Sequence, residues 1–431
     1  MTTSRVVPDQ RACQGVYRGA FLCATPLFRP RLPSRSDPSR RRRHPGGLAR
    51  FATFWRMEFG IFQGASVGPR PWEEAEPQRI RWDVEMGVAA DAAGFDTFWA
   101  PEHHCLEEYS HNSASHLSCL AVGMLTERTR LVTGIFNLCP AINHPVRVAE
   151  QIATIDILTN GRIELGTGRG SGSTEVNTFG IRNEETREMW DEAIRAIPKM
   201  WTQDLFSWEG KHFQVPERCI LPKPVQKPHP PLWVTASNPG TVETAGRMGL
   251  GVAMFSFSDP QVLAPLVETY KSAIASAEPV GKVVNNKVMA IAQALCLEDG
   301  DEAREIYANQ PTGVTPHFSV YFDTIPDFAK RLEDEPRPIP QTRLRELIDE
   351  ASRDPSIAGP FAKGEMTREF LHENGICVGN PDEVAATVQR FADIGLDQLV
   401  LVPVVGWATP HEKSLESIRT LGEKVLPRFR S

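Results

Sequence analysis

The chain has little with which to build a metal or disulfide framework. Its 431 residues include eight cysteines, at 13, 23, 105, 119, 139, 219, 296 and 377, and no two lie closer than ten residues. That spacing removes every CxxC pair and every zinc-ribbon pattern. In a chain with 41% apolar and 23% charged residues, scattered thiols read as reduced residues of a cytoplasmic protein. No run of about 18 uninterrupted apolar residues occurs, so no transmembrane helix is expected. Basic charge is also missing from most of the chain. Residues 1–56 hold twelve arginines, no lysine and two acids, a net of +10 against −7 for the whole, which leaves −17 for residues 57–431. So acidic a body argues against nucleic acid as a main partner, because phosphate backbones select basic surfaces.

The basic leader is dense in Arg, Pro and Ser, as in RPRLPSRSDPSRRRRHPGG (29–47). It has too few apolar residues to offset its chain entropy, and residues 1–56 are expected to form a disordered extension. Arg- and Ser-rich, acid-poor composition also fits a transit peptide, although the prolines oppose an amphipathic helix. A nucleic-acid arm lacks the aromatic interleaving that would support it.

From Met57 the pattern changes. MEFGIF, FDTFWA, RLVTGIFNL, GRIELGTG, PLWVTA, GVAMFSF, KVMAIAQALCL and DQLVLVPVV read as strands. Helical stretches lie between them, the first over about Ile80–Ala93, stopped by Gly94. Eight strands alternating with helices predict a (β/α)₈ TIM barrel over residues 57–431. A doubly wound sheet is the alternative, since alternation alone does not show closure. Between the seventh and eighth strands, residues 308–374 exceed one helix and carry DEPRPIPQ and SRDPSIAGP, which predicts a helical insertion or lid.

Chemistry in a barrel sits at the carboxyl ends of the strands. After the fourth strand comes GTGRGSG (166–172), which fails the GxGxxG fingerprint because position 171 is Ser, and which is no P-loop. What remains is a glycine-rich strand end with Arg169, suited to bidentate grip of an anion or simply to a tight turn. After the fifth strand comes SNPGT (237–241), where a helix start exposes free N–H groups to an anion, or where Ser237 or Asn238 merely caps. Arg187, early in the preceding helix, could add a second cation or be solvated.

After the second strand comes PEHHC. Were 102–111 helical, His103, Glu107 and His111 would share a face as a metal set. The segment directly follows a strand, however, and only His144 offers a further ligand, so no metal is expected. In extended backbone, adjacent side chains point to opposite sides. One histidine would then face the barrel mouth as a proton donor or base, with the other bracing the loop through Glu102 or Glu107.

FDTFWAPEHH, NHPVRVAEQIATIDILTNGRIELGTGRG, SNPGT and VGNPDEVAATVQRFADIGLDQLVL together resemble the bacterial luciferase-like flavin-dependent monooxygenases. The resemblance runs from about Met57 to the C-terminus, outside the leader and 308–374. It implies a barrel, often a homodimer through its early helices, that uses reduced FMN supplied by a separate flavin reductase. Oxygen adds to that flavin to give a peroxide, which oxidises a small organic substrate. The resemblance places His103 as the catalytic histidine and His104 as its catalytic-site support. Arg169, Arg187, Ser237, Asn238 and Thr241 match phosphate-binding positions, and Phe62 a pocket-lining aromatic.

There are departures. Luciferase has Glu-Ser where this chain has Ser237-Asn238, and a reactive cysteine where it has Gly168, which argues against light emission. Cys105 stands where the family usually has Phe. Open alternatives are hydride transfer with the deazaflavin F420 on the same fold, a non-catalytic flavin-binding subunit, and a metal hydrolase.

Overall fold

The computed structural model describes residues 56–170, 172–255, 259–310, 315–322, 338–354, 366–403 and 408–430, with positions 332 and 335. The chain divides into Met1–Thr53 and Phe54–Ser431. The expected disordered extension over 1–56 lies outside the described residues, apart from Arg56.

The barrel strands are β1 (Glu58–Phe62), β2 (Thr97–Ala100), β3 (Arg130–Thr133), β5 (Ile163–Gly168), β8 (Leu232–Thr235), β9 (Gly251–Met254), β10 (Val288–Cys296) and β12 (Gln398–Val402). All pair in parallel. β1 lies between β12 and β2, and β9 pairs with β10 to close the ring. Two short strands extend it: β4 (Phe136–Asn137) pairs with the end of β5, and β11 (Cys377–Gly379) with the end of β10. The closed eight-stranded barrel read from the alternation is therefore the fold, and the doubly wound sheet is excluded.

Among the described residues the crossover helices are α1 (Ala75–Ala93), α2 (Ser115–Leu125), α3 (Pro145–Leu158), α5 (Thr186–Thr202), α6 (Pro239–Arg247) and α7 (Pro260–Ile274). A short α4 (Ser173–Thr178) precedes α5. Between β10 and β12 run α8 (Gly300–Ala308), α9 (Thr315–Tyr321), α10 (Gln341–Arg353), α11 (Arg368–Glu373) and α12 (Pro381–Asp393); α13 (His411–Thr420) follows β12.

Local chemistry explains these helices, as α12 illustrates. Asn380 accepts from the N–H groups of Asp382 and Glu383 while Glu383 reaches back to the Asn380 N–H, a capping box with Pro381 in the first turn. Val384, Ala385, Val388, Phe391 and Ala392 then form one buried stripe against the barrel.

The barrel interior is filled by Trp99, Val132, Trp233, Ala253, Met289 and Val400. Trp99 and Trp233 meet edge to face, 5.2 Å between ring centroids. Their indole N–H groups stay paired: Trp99 donates to Thr97 Oγ1 and Gln398 Oε1, and Trp233 to Glu164 Oε2 at 2.6 Å. Glycine makes the room. A Cβ at Gly251 would lie 2.6 Å from the Trp233 ring.

Three local features escape the sequence pattern. An antiparallel hairpin, β6 (Phe206–Glu209) and β7 (Gln214–Arg218), lies between α5 and β8. Most of its residues are exposed, so apolar alternation is weak; Phe206, Trp208 and Phe213 stack on one another instead. β11 is only three residues long. The last helix changes to a wider turn over Leu421–Val425 and a tighter one over Leu426–Phe429, where Pro427 denies the helix an N–H donor.

Candidate active site

The loop after β2 holds both histidines outside helix and strand, and they take different carboxylates. His104 Nε2 lies 3.3 Å from Glu102 Oε1. His103 Nδ1 lies 3.2 Å from Glu175 Oε1, in the first turn of α4. Glu102 is buried and also accepts from the Asn137 N–H and from Asn143 Nδ2 at 2.7 Å. Burial pushes its carboxyl above the ordinary range, and the hydrogen bonds from His104, Asn137 and Asn143 oppose that shift. The His104 ring sits edge-on to Phe179 at 5.0 Å. It is thus tied to the loop on two sides.

The His103 ring is walled by Tyr109, 5.2 Å away, and by Phe322, 5.9 Å away, just past α9. Burial, and then the charge of Glu175, holds the Tyr109 phenol protonated well above its usual range. The loop itself adopts left-handed backbone at two non-glycine residues, Cys105 at φ +60° and Glu108 at φ +63°. Such geometry costs on the order of 1–3 kcal/mol per residue and persists only where the surroundings fix it. Here they do: His317 lies 3.0 Å from Glu108, and Leu106 is buried beneath α9 and α10.

Glu107 braces no histidine. It takes Arg345 of α10 through two hydrogen bonds of 2.6 and 2.8 Å, and Arg70 at 2.9 Å. The Arg345 and Arg70 guanidiniums lower its carboxyl to about 2. His111 instead faces Glu76 at 2.6 Å, and His144 caps α3 by accepting from Val146 N–H. The conceivable metal set therefore disperses. Among the described residues no three His, Cys, Asp or Glu are placed to hold a metal ion.

The described cysteines, at 105, 119, 139, 219, 296 and 377, are free thiols. Burial pushes the Cys139 and Cys296 thiols up to about 12, so neither supplies a thiolate.

β5 and β8 are neighbours, so the glycine loop and the SNPGT turn open side by side. Gly170 has φ +86°, and at the buried Gly168 a Cβ would lie 2.6 Å from Ile135, so both positions of this strand end favour glycine. Arg169 is exposed and donates to Thr186 Oγ1 at 3.3 Å, beside Arg187 in the first turn of α5. Neither arginine has a carboxylate partner among the described residues. Asn238, not Ser237, is the cap of α6: its Oδ1 accepts from Thr241 N–H at 3.0 Å. Ser237 and Gly240 are exposed, and a Cβ on Gly240 would meet only Asn238 Oδ1, at 3.7 Å. No acid occupies the first turn of α6. Phe62, at the end of β1, packs on Phe255 at 5.4 Å and closes the inner end of the mouth over the tryptophans.

The sequence reading missed Glu175, Tyr109 and Phe322. Glu175 lies 72 positions from His103 and carries no local signal beyond an acid in a helical first turn.

The chain is similar to known proteins. The family profile described as luciferase-like monooxygenase matches residues 57–398. The oxygenase component of the flavin-dependent trigonelline monooxygenase of Acinetobacter baylyi is 25% identical over 86% of this chain and 96% of its own length. An F420-dependent glucose-6-phosphate dehydrogenase of Microbacterium testaceum is 27% identical over 80% of this chain and 93% of its own. Among solved structures, the monooxygenase RslO1 of Streptomyces bottropensis superposes with a TM-score of 0.66 at 25% identity, covering 86% of this chain and all of that one. With a family profile matched over most of its length and oxidoreductases as its relatives, the chain belongs to the luciferase-like monooxygenase family and is an oxidoreductase.

Proposed function

We propose that the protein is an FMN-dependent monooxygenase acting on a small organic molecule. The observation that carries this reading is the pair of anion-suited strand ends, β5 and β8, set beside each other, with two arginines that have no carboxylate partner among the described residues and an acid-free helix start. Arg169, Arg187, Ser237 and Thr241 would hold the phosphate, with the open Gly240 backbone letting it approach. Asn238 keeps its amide N–H₂ for the same purpose, since only its oxygen is used by the cap. Phe62 and Phe255 would bear on the ring system. When bound, reduced FMN supplies two electrons to O₂, one oxygen atom entering the substrate and the other leaving as water.

The chain's own contribution is position, proton handling and exclusion of water. His103 would face the mouth and hold or move a proton there, as the catalytic histidine. His104, pinned by Glu102, keeps the loop in register. The α9–α10 segment acts as a lid of the 308–374 insertion and keeps water from the site. Expected partners are a flavin reductase that delivers reduced FMN and a second copy of the chain. For the homodimer, α2 and α3 offer Leu117, Met124, Leu125, Ile157 and Leu158, each at least 40% exposed. No helix among the described residues is long and apolar enough to cross a membrane, and a cytoplasmic setting suits the free thiols.

The deazaflavin F420 is the second reading, favoured by the similarity to the glucose-6-phosphate dehydrogenase named above. Anaerobic titration with reduced FMN and, in parallel, with F420 separates the two. Reduced FMN should bind, and Arg169→Ala with Arg187→Ala should weaken it about tenfold or more, from the loss of charge-assisted hydrogen bonds. Binding of F420 alone would transfer the assignment to hydride transfer, and binding of neither would overturn both.

A further inference from the structure

We propose that Glu175 is the positioning residue of the site: it fixes His103 as the Nδ1–H tautomer and so presents an unprotonated Nε2 to the barrel mouth. This rests on the reading of His103 given above.

Glu175 is 3% exposed, and a single oxygen, Oε1, serves both halves of the EHH loop. It lies 3.2 Å from His103 Nδ1 and accepts the His104 backbone N–H at 2.9 Å. A carboxylate can only accept, so a neutral His103 must donate through Nδ1–H, leaving the Nε2 lone pair as its free function. Tyr109 and Phe322 pack against the ring, with centroids 5.2 and 5.9 Å away, and restrict its freedom to turn. The second bond matters equally. By holding the His104 N–H, Glu175 fixes the backbone that carries His103, so ring and main chain are set by one atom.

Its place in the chain adds a consequence. Glu175 opens α4 directly after the glycine loop that bears Arg169, and a Cβ at Gly172 in that loop would lie 1.9 Å from the Tyr321 carbonyl oxygen. The loop assigned to phosphate and the loop assigned to proton transfer are thus joined through this carboxylate.

The test uses the ligand-free protein, so it is independent of which flavin binds. Long-range ¹H–¹⁵N correlation of histidine-labelled protein reads the tautomer of each ring. In the wild type, His103 should show a protonated Nδ1 and a bare Nε2. Glu175→Ala should move it to the Nε2–H form that free histidine side chains favour. Glu175→Leu, which fills the buried volume, gives the same reading if the alanine variant does not fold. Glu175→Gln retains an acceptor oxygen at the same position and should restore the Nδ1–H tautomer. With the loaded enzyme, Glu175→Ala should lower kcat on the order of tenfold to a hundredfold, part of what general acid–base catalysis contributes, while affinity for reduced FMN changes less than about threefold. An unchanged His103 tautomer in Glu175→Ala or Glu175→Leu would overturn the proposal. Failure of FMN to bind would overturn the cofactor reading instead and leave the tautomer result standing.

Discussion

The barrel and the α9–α10 segment are stabilised in different ways. The barrel core draws on every strand and most crossover helices in one continuous cluster, from Met57 to Leu426. Among the described residues the segment has a separate core: Leu106 from the β2 loop with Val320, Tyr321, Phe322, Leu332, Leu344, Leu347, Ile348 and Ala351. What fastens it further is charged, through Glu107 to Arg345 and Arg70, and Glu108 to His317. A small core with ionic fastenings can separate from a large one without unfolding it. Yet it is the small one that sets Phe322 against His103. The scaffold therefore resides in the barrel, while the surroundings of the histidine depend on the weaker part.

The largest expected effect lies in the barrel. Trp99→Ala removes a fully buried ring from the centre of the interior cluster and should cost about 3–5 kcal/mol. It should lower the thermal midpoint of the whole protein. A wild-type midpoint would show that the paired tryptophans do not hold the barrel together.

Next comes the segment's own core. Leu347→Ala deletes buried contacts worth about 2–5 kcal/mol in a well-packed site. The comparison predicts that this loss is spent locally. Hydrogen exchange over Gln341–Arg353 should accelerate and turnover should fall, with the barrel's midpoint unchanged. A global drop in midpoint would mean that the two cores unfold as one.

The ionic fastening gives a smaller effect with a defined sign. The Glu107 carboxyl lies at about 2 in the folded protein, below its ordinary 4.5. The fold thus favours its ionised form, and the stabilisation is present above about pH 4.5 and is lost as pH falls toward 2. Protection of the α10 amides, taken relative to the intrinsic exchange rate at each pH, should fall on acidification through that window. Glu107→Gln should exchange faster already at neutral pH and show a flatter response. An identical acid response in both proteins would remove Glu107 from the docking of α10.

Legibility followed the same division. Strands such as RLVTGIFNL and KVMAIAQALCL announce themselves because burial on both faces leaves near-continuous apolar runs, and the intervening helices carry local caps. A carboxylate brace was readable only as a choice between Glu102 and Glu107, both close in the chain, and the structure selects Glu102 for His104. Glu175, Tyr109 and Phe322 were not. Glu175 and Phe322 reach His103 from the loops of other strands, and Tyr109 from a turn of His103's own loop, and no periodicity records those meetings. Even the SNPGT turn was ambiguous: Ser237 and Asn238 are both good caps, and only backbone geometry, with Asn238 at φ −131° and ψ 153°, selects the second.

The smallest effect comes from two helix starts of the same spelling, Asn238-Pro239 at α6 and Asn380-Pro381 at α12. Both asparagines cap, and alanine at either should cost about 1 kcal/mol. Their surroundings differ. At α12, Asp382 and Glu383 fill the first turn, and Glu383 Oε2 takes the Asn380 N–H and Arg304, so the positive end of the helix is already neutralised. At α6 the first turn holds Gly240 and Thr241 and no acid, leaving its positive end exposed beside β5. One helix start is closed by its own side chains, and the other is open to an external anion. Asn380→Ala should therefore leave affinity for reduced FMN at the wild-type value, whereas Asn238→Ala, with the same small loss of stability, should weaken it several-fold. Equal FMN affinities in the two variants would remove α6 from the phosphate site and leave the glycine loop and its arginines to hold the cofactor alone.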